Sequence, residues 1–550
     1  MLTANWRREK SIGKHPRQLR IAAWSANRHK GLSDHTVAYR MTRPEEAYPE
    51  PGSAAELAAF AELQRRLPAL FDRVYADRMA PRTIVVVPGL SLDAELLGRV
   101  EGFTHYEERQ LTMLMLLKMP NTRMVFLTSA PLDPSIVDYY LQLLPGIPHE
   151  HARARLTLLA AHDTSTVSLT RKILDRPRLL ARIRNAVGDT QLAHLSCFNA
   201  TADERSLAVR LGMPLYACDP ALLRWGTKSG SRTVFREAGV DLAPGAENLR
   251  DIRDVVMALA ALKRSHPTLK RAVVKLEEGA SGEGNGVFDF SGAPEDSGLE
   301  SWLAMRLPAR LRPEAAGMDY PRYAAKFDEC GGVVEAWIDA EDKQSPSVQL
   351  RITPAGHIET ISNHDQVLGG STGQRYLGAR FPARADYRSG ICGSALQIAE
   401  VLRAKGVLGR FGIDFVCVRE GDAWRHSAIE INLRKGGTTH TFQTLQYLTD
   451  GSYDTTTGNF LTPRGDSRCY YATDNLCKAA YRRLTPPDLV DVAIEHDLHF
   501  DRTRLEGVTF NLIGAVSEFG KLGVVSIGRS LPEAEALYQN TVRALDVACA

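Results

Sequence analysis

Apolar runs of five to eight residues, separated by stretches with helical spacing, dominate the first half of the chain. RTIVVVPGLSLD (82–93) is predicted to be a buried strand running into a Pro-Gly turn. Residues 113–131 give a helix end followed by the apolar strand TRMVFLTSAP, and DTQLAHLSCF (189–198) and PLYAC (214–218) give two more strands. Residues 54–78 carry helical periodicity interrupted at Pro68. Fully apolar strands alternating with helices imply a parallel sheet covered on both faces. A first α/β domain is therefore expected over 54–221.

The pattern then changes. TKSGSRTVFREAGV is predicted to be a helix ending at Gly239, with Pro244 beyond it. RAVVKLEEGASGEGNGVFDF (271–290) is strand, glycine-rich loop, strand, and GGVVEAWID (331–339) is another strand. A hairpin is predicted around Pro354-Ala355-Gly356, an amphipathic helix over 390–406, and two strands around a polar turn over 409–433. A loop-rich stretch (451–467) precedes a small separate α/β domain over 468–550. The fold class is thus α/β multidomain.

Length and charge bound the function. At 550 residues the chain exceeds one hydrophobic core. A net charge of +3 gives no basic field for nucleic acid or a membrane surface, and no apolar run is long enough to span a bilayer. Eight scattered cysteines form neither a zinc pattern nor a disulfide framework, which fits a cytoplasmic protein. Residues 1–43 hold ten Lys/Arg against two acidic residues without periodicity. Residues 1–53 are expected to be a disordered extension, or upstream sequence with the true start at Met41.

The polar chemistry is concentrated in AIEINLRKGGTTH (428–440), where Glu430, Asn432 and Arg434 alternate with Ile429, Ile431 and Leu433. If the preceding turn centres on Asp422, Asp414 lies across from Glu430. Facing carboxylates repel unless a cation lies between them, and Asp, Glu and Asn oxygens suit Mg²⁺. The competing reading is a solvated polar strand face. Lys275 ends an apolar strand and can reach a phosphate. The loop after it, with Glu278, Gly279, Ser281, Gly282, Gly284 and Gly286, is neither a Walker A nor a dinucleotide fingerprint, and is expected to close over a nucleotide. An ordinary hairpin loop is the alternative. The stretch from Glu335 through Trp337 and Ile338 could pair with a base edge, and Asp339, Glu341 or Asp342 could take ribose hydroxyls.

The order Lys228, Lys275, glycine loop, Glu335, Asp414, Glu430-x-Asn432 resembles the ATP-grasp superfamily over roughly 222–450, with a lid at about 268–370. HDQVLGGSTGQRYLGARFPA (364–383), IEINLRKGGTTH (429–440) and the tail from YYATDNL to GVVSIG resemble the pheganomycin-type peptide ligases. Those combine a pre-ATP-grasp domain, an ATP-grasp core and their own C-terminal domain.

The resemblance implies an ADP-forming ligase that joins an amino-acid-like carboxylate to an amine or peptide acceptor through an acyl phosphate. ATP and two Mg²⁺ ions are implied, with Mn²⁺ as a substitute. Lys228, Lys275, Glu278, Glu335, Trp337, Ile338 and Glu341 would contact nucleotide. Asp414, Glu430 and Asn432 would hold metal. Lys275 and Arg434 would stabilise the transferring group, and His440 enters as a general base or a positioning group. Many family members carry arginine where this chain has Gly412; Arg434 or Arg410 could supply that charge, and Arg434 is favoured. Arg375 is a candidate for the substrate carboxylate. A homodimer is expected from the family's habits, and neither nucleic acid nor membrane is an expected partner. The rival functions are a small-molecule kinase and a non-catalytic nucleotide-binding regulator.

Overall fold

The computed structural model describes residues 48–550, apart from 93, 279–283, 316, 370–372 and 374 and the side chain of 96. The expected N-terminal extension, up to residue 47, and loop residues Gly279, Ser281 and Gly282 lie outside the described residues.

Four parallel strands form the first sheet in the order β3-β2-β1-β4: β1 (Arg82–Val87), β2 (Thr122–Thr128), β3 (Leu156–Ala160) and β4 (Ala193–Cys197). Val85, Val86 and Val87 are completely or almost completely buried, as an apolar strand covered on both faces requires. The sequence pattern did not single out β3, and PLYAC contributes only the bridge Leu195–Leu215. The helix expected over 54–78 is two helices, Ala54–Gln64 and Leu67–Ala76, with Pro68 in the first turn of the second.

The second sheet is antiparallel, in the order β5-β9-β6-β7-β8: β5 (Gly245–Leu249), β6 (Arg271–Leu276), β7 (Asn285–Asp289), β8 (Arg312–Pro313) and β9 (Gly332–Ala336). The glycine loop joins β6 to β7, as expected. β9 stops at Ala336, so Trp337 and Ile338 extend beyond the strand.

The third sheet has nine strands. Six come from the middle of the chain: β10 (Lys343–Gln344), β11 (Pro346–Ile352), β12 (Ile358–Gly369), β13 (Arg375–Phe381), β14 (Gly409–Glu420) and β15 (Ala423–Asn432). A short pair, β16 (Ser452–Tyr453) and β17 (Phe460–Leu461), lies within the stretch read as loops. The last three strands of the large sheet are β18 (Cys469–Cys477), β19 (Gly507–Asn511) and β20 (Lys521–Gly528). β18 pairs with β13, Phe381 opposite Tyr470, so the C-terminal segment extends the central sheet rather than forming a sheet of its own. One apolar cluster joins all three regions: Phe126 of β2, Phe381 of β13, Phe442 and Val524 of β20 pack in it.

Candidate active site

The helix Lys228–Glu237 begins at Thr227, whose side chain accepts from Gly230 N–H at 3.1 Å, and its C-terminal end is followed by left-handed Gly239. This places Lys228 in the first turn, facing β15. Its Nζ donates to Glu430 Oε1 at 2.5 Å. Farther along the same helix, the Ser231 hydroxyl accepts from Ile431 N–H at 3.0 Å, tying helix to strand.

Asp414 and Glu430 are register partners in the β14–β15 hairpin, as expected; the turn, however, lies between Glu420 and Ala423 rather than centring on Asp422, and a bulge just after Asp414 brings the two carboxylates opposite each other. Asp414 accepts from Gln366 Nε2 at 2.9 Å and from Asn432 Nδ2 at 3.1 Å. Burial, and then the carboxylate of Glu430, push Asp414 up to about 6. Burial alone would raise Glu430 as well, but Lys228, Lys275 and Arg434 outweigh it and hold its carboxyl below the usual value. Their surroundings thus shift the two facing carboxylates in opposite directions.

A second buried cluster lies on the opposite sheet. Glu335 accepts from Lys275 at 2.6 Å and from Arg232 at 2.7 Å. Burial, the largest influence, would raise Glu335; the two cations outweigh it and lower it. The Glu335 side chain therefore fixes Lys275. At the end of β9, Ala336 N–H donates to Pro244 and Trp337 N–H to Arg271, at 2.7 and 3.1 Å. The cations of Arg271 and Lys343 lie 4.9 and 4.6 Å from the Trp337 ring centroid, and the indole N–H is buried without a hydrogen-bond partner among the described residues.

These groups line one cavity of about 580 Å³. Lys228, Lys275, Gly284, Glu335, Trp337, Ile338, Asp414, Glu430, Asn432, Arg434 and Arg375 all face it. Glu278, Gly286, Glu341 and His440 do not. Glu278 and Glu341 are exposed, and Gly286 is buried in β7, close against Leu311 and Tyr323. His440 is 1% exposed and turned toward Asp474, its Nε2 3.1 Å from Oδ1. Asp474 also meets Arg109 Nη1 at 3.3 Å. Burial alone would raise Asp474, but His440 and Arg109 hold it at about 2. Asp339 is engaged with Arg271 at 2.9 Å.

At Gly412 a Cβ would come within 2.5 Å of the Gln349 side-chain amide, a contact that a movement of that flexible end could relieve. Arg410 does not face the cavity, whereas Arg434 does. Sequence reading did not single out Arg109, Tyr106, Phe198 and Lys521, which also line it, as does Gln366 of the HDQVLGG stretch. For Arg109 the one local signal is the polar run Glu107-Glu108-Arg109-Gln110 beside an apolar segment, all four of them buried.

Among the described residues, no three or more His, Cys, Asp and Glu side chains gather as a metal cluster, and no helix is long and apolar enough to cross a membrane. Two facing carboxylates with an amide nevertheless form an all-oxygen donor set suited to Mg²⁺ with phosphate oxygens completing it.

Comparison with known proteins agrees with this arrangement. The family described as IQCH-like, ATP-grasp matches residues 221–297 and 309–456, and the PGM1 C-terminal domain matches 488–541. The L-propargylglycine–L-glutamate ligase of Streptantibioticus cattleyicolor is 30% identical over 484 residues, covering 86% of this chain and 93% of the relative. The IQ motif-containing protein H of Danio rerio is 23% identical over 441 residues, which span 41% of that longer protein. The solved structure of an N5-carboxyaminoimidazole ribonucleotide synthetase with ADP aligns with a TM-score of 0.49 at 11% identity, over 85% of this chain and 98% of that one. The chain belongs to the ATP-grasp superfamily, among the pheganomycin-type peptide ligases, enzymes that join a carboxylate to an amine.

Proposed function

We propose that the cavity activates an amino-acid-like carboxylate with ATP and joins it to the amine of an amino acid or peptide, one of the two substrates being an acidic amino acid. The observation that carries this is the facing pair Asp414–Glu430, with Lys228 at 2.5 Å, in the same cavity as Lys275 and Arg434. The name of the Streptantibioticus ligase, which pairs L-propargylglycine with L-glutamate, supports the substrate class.

In this reading the adenine lies against Ala336, Trp337 and Ile338, with Val273 and Ile429 as apolar walls. Lys228 and Lys275 bind phosphate oxygens, Lys275 being preset by Glu335. Asp414, Glu430 and Asn432 would hold Mg²⁺, two ions with Mn²⁺ as a substitute, which when bound neutralises phosphate charge. The substrate carboxylate attacks the γ-phosphorus, forming an acyl C–O–P linkage and releasing ADP. Arg434 offsets the charge on the transferred group. The amine then attacks the acyl carbon, phosphate leaves, and the amine loses a proton to the surrounding solution. His440 acts at one remove, holding Asp474. We divide the chain into 54–221, an ATP-grasp core over 222–450 and a C-terminal segment over 468–550, and expect a cytoplasmic homodimer.

The test is trapping. Mg-ATP, pooled amino acids and hydroxylamine should give hydroxamates and stoichiometric ADP. ADP release with phosphate transferred stably onto one substrate would instead establish a kinase, and ATP binding without turnover a regulator.

A further inference from the structure

Three cations of the cavity lining are linked through two aromatic rings, each ring lying near two of the cations. Arg434 and Arg109 lie 5.9 and 4.9 Å from the centroid of Phe198, and Arg109 and Lys521 lie 4.4 and 5.0 Å from that of Tyr106. All five side chains line the cavity. Arg434 belongs to the segment just after β15, near Asp414 and Glu430. Arg109 comes from the helical segment Phe103–Lys118 of the first domain, and Lys521 opens β20 near the C-terminus.

The charges of this group do not balance. Arg109 meets one carboxylate, Asp474, and shares it with His440. Lys521 is 6% exposed, and its ammonium donates to the Tyr106 hydroxyl at 2.9 Å. No carboxylate lies within ion-pair distance of Lys521 among the described residues. A buried ammonium compensated by a phenol and a ring face alone is costly to desolvate. Its position in a cavity wall makes sense if an anion arrives there with the ligand.

The nucleotide does not account for that anion. Its phosphates are assigned to the end holding Lys228, Lys275 and Arg434, and Lys521 is two rings farther along. We infer that Arg109 and Lys521 bind the second carboxylate of a dicarboxylic amino-acid substrate, the one that takes no part in bond formation. The inference rests on the ligase reading and deepens it. Arg109 offers the planar fork that fits a carboxylate, and Lys521 a point charge beside it. Asn199 and Asn475 also line the cavity, their side chains held by hydrogen bonds to the backbone of Ser91 and of Tyr376 and Leu377. Substrate recognition would thus fall to the two regions flanking the ATP-grasp core.

The test is calorimetric titration of L-glutamate and its two monoamides, L-glutamine and L-isoglutamine, into the full-length protein with Mg-ADP present. Wild type should bind glutamate at least tenfold more tightly than one of the monoamides. Lys521→Met should abolish that preference while leaving affinity for the disfavoured monoamide within twofold, and Lys521→Arg should keep it. Equal binding of all three by wild type, binding of none, or a uniform loss across the three in Lys521→Met would overturn the inference. Hydroxamate formation is read separately, so a ligase without this subsite and a subsite without ligase activity are distinguishable.

Discussion

Asp414 and Glu430 show how much one residue's surroundings decide. Both are carboxylates on facing strands, yet Glu430 is held ionised by Lys228 and Asp414 is pushed up to about 6. Their pairing was legible in the sequence because side chains alternate and a polar turn set the register to within a residue; the bulge after Asp414, which aligns them, was not. The role of Glu335 was less legible: its position was expected, but its ion pairs to Lys275 and Arg232 join residues far apart in the chain. Removing the charge at Glu430 should lower ADP release by on the order of 100-fold or more, with the fold intact, since preorganised electrostatic groups contribute at that scale. Circular dichroism beside the turnover assay of Glu430→Gln checks both parts. A separate residue prediction concerns Glu107, buried and accepting from Ser129 N–H and hydroxyl at 2.7 Å each. Burial, outweighing those bonds, raises it to about 7. The folded state therefore holds this proton where the unfolded chain releases it. The stability it contributes is present below about 4.5 and lost as pH rises through about 7. Relative to Glu107→Gln, wild type should lose about 1–3 kcal/mol between pH 5 and pH 8 in urea denaturation.

At the scale of elements, the helix that opens with Lys228 and the strands that carry Lys275, Glu335, Asp414 and Glu430 were readable because each carries its own periodicity and stop signals. The pattern did not single out the helices Ile252–Ser265, Leu299–Arg310, Tyr320–Cys330 and Gly437–Thr449, nor β13, nor the shortest pieces: β5 and β8 are edge strands, and β16 and β17 are two residues each. Such pieces are defined by their partners, not by their composition. The helix that presents Lys228 depends on a close approach. A Cβ on Gly230 would lie 1.8 Å from the Arg224 carbonyl oxygen, a backbone atom that cannot swing aside. Gly230→Ala should therefore shift the helix start, destabilise the protein by about 1–3 kcal/mol, and weaken nucleotide binding at least tenfold. Fluorescent-nucleotide titration with thermal melting would read both; unchanged affinity would show that Lys228 does not contact nucleotide.

For the whole molecule, the succession of α/β, antiparallel and tail regions could be read from the chain, but their joining could not. β13 and β18 are about ninety residues apart in sequence and carry no signal that they pair. The same separation hid Arg109 and Lys521, whose meeting at Tyr106 needs both flanking regions folded onto the core. Phe381 marks the junction, fully buried with Tyr470 at 5.2 Å and Phe442 at 5.4 Å between centroids. Phe381→Ala should cost about 3–5 kcal/mol and loosen the tail with the core, seen as joint loss of amide protection in β13 and β18. The most direct measurement is ADP release by purified wild type in Mg-ATP with pooled carboxylates, with pooled amines, and with both. A carboxylate–amine ligase predicts sustained release only with both, stoichiometric amide product, and loss of both in Glu430→Gln. Sustained release with one pool alone and no amide, or turnover unchanged in Glu430→Gln, would contradict it.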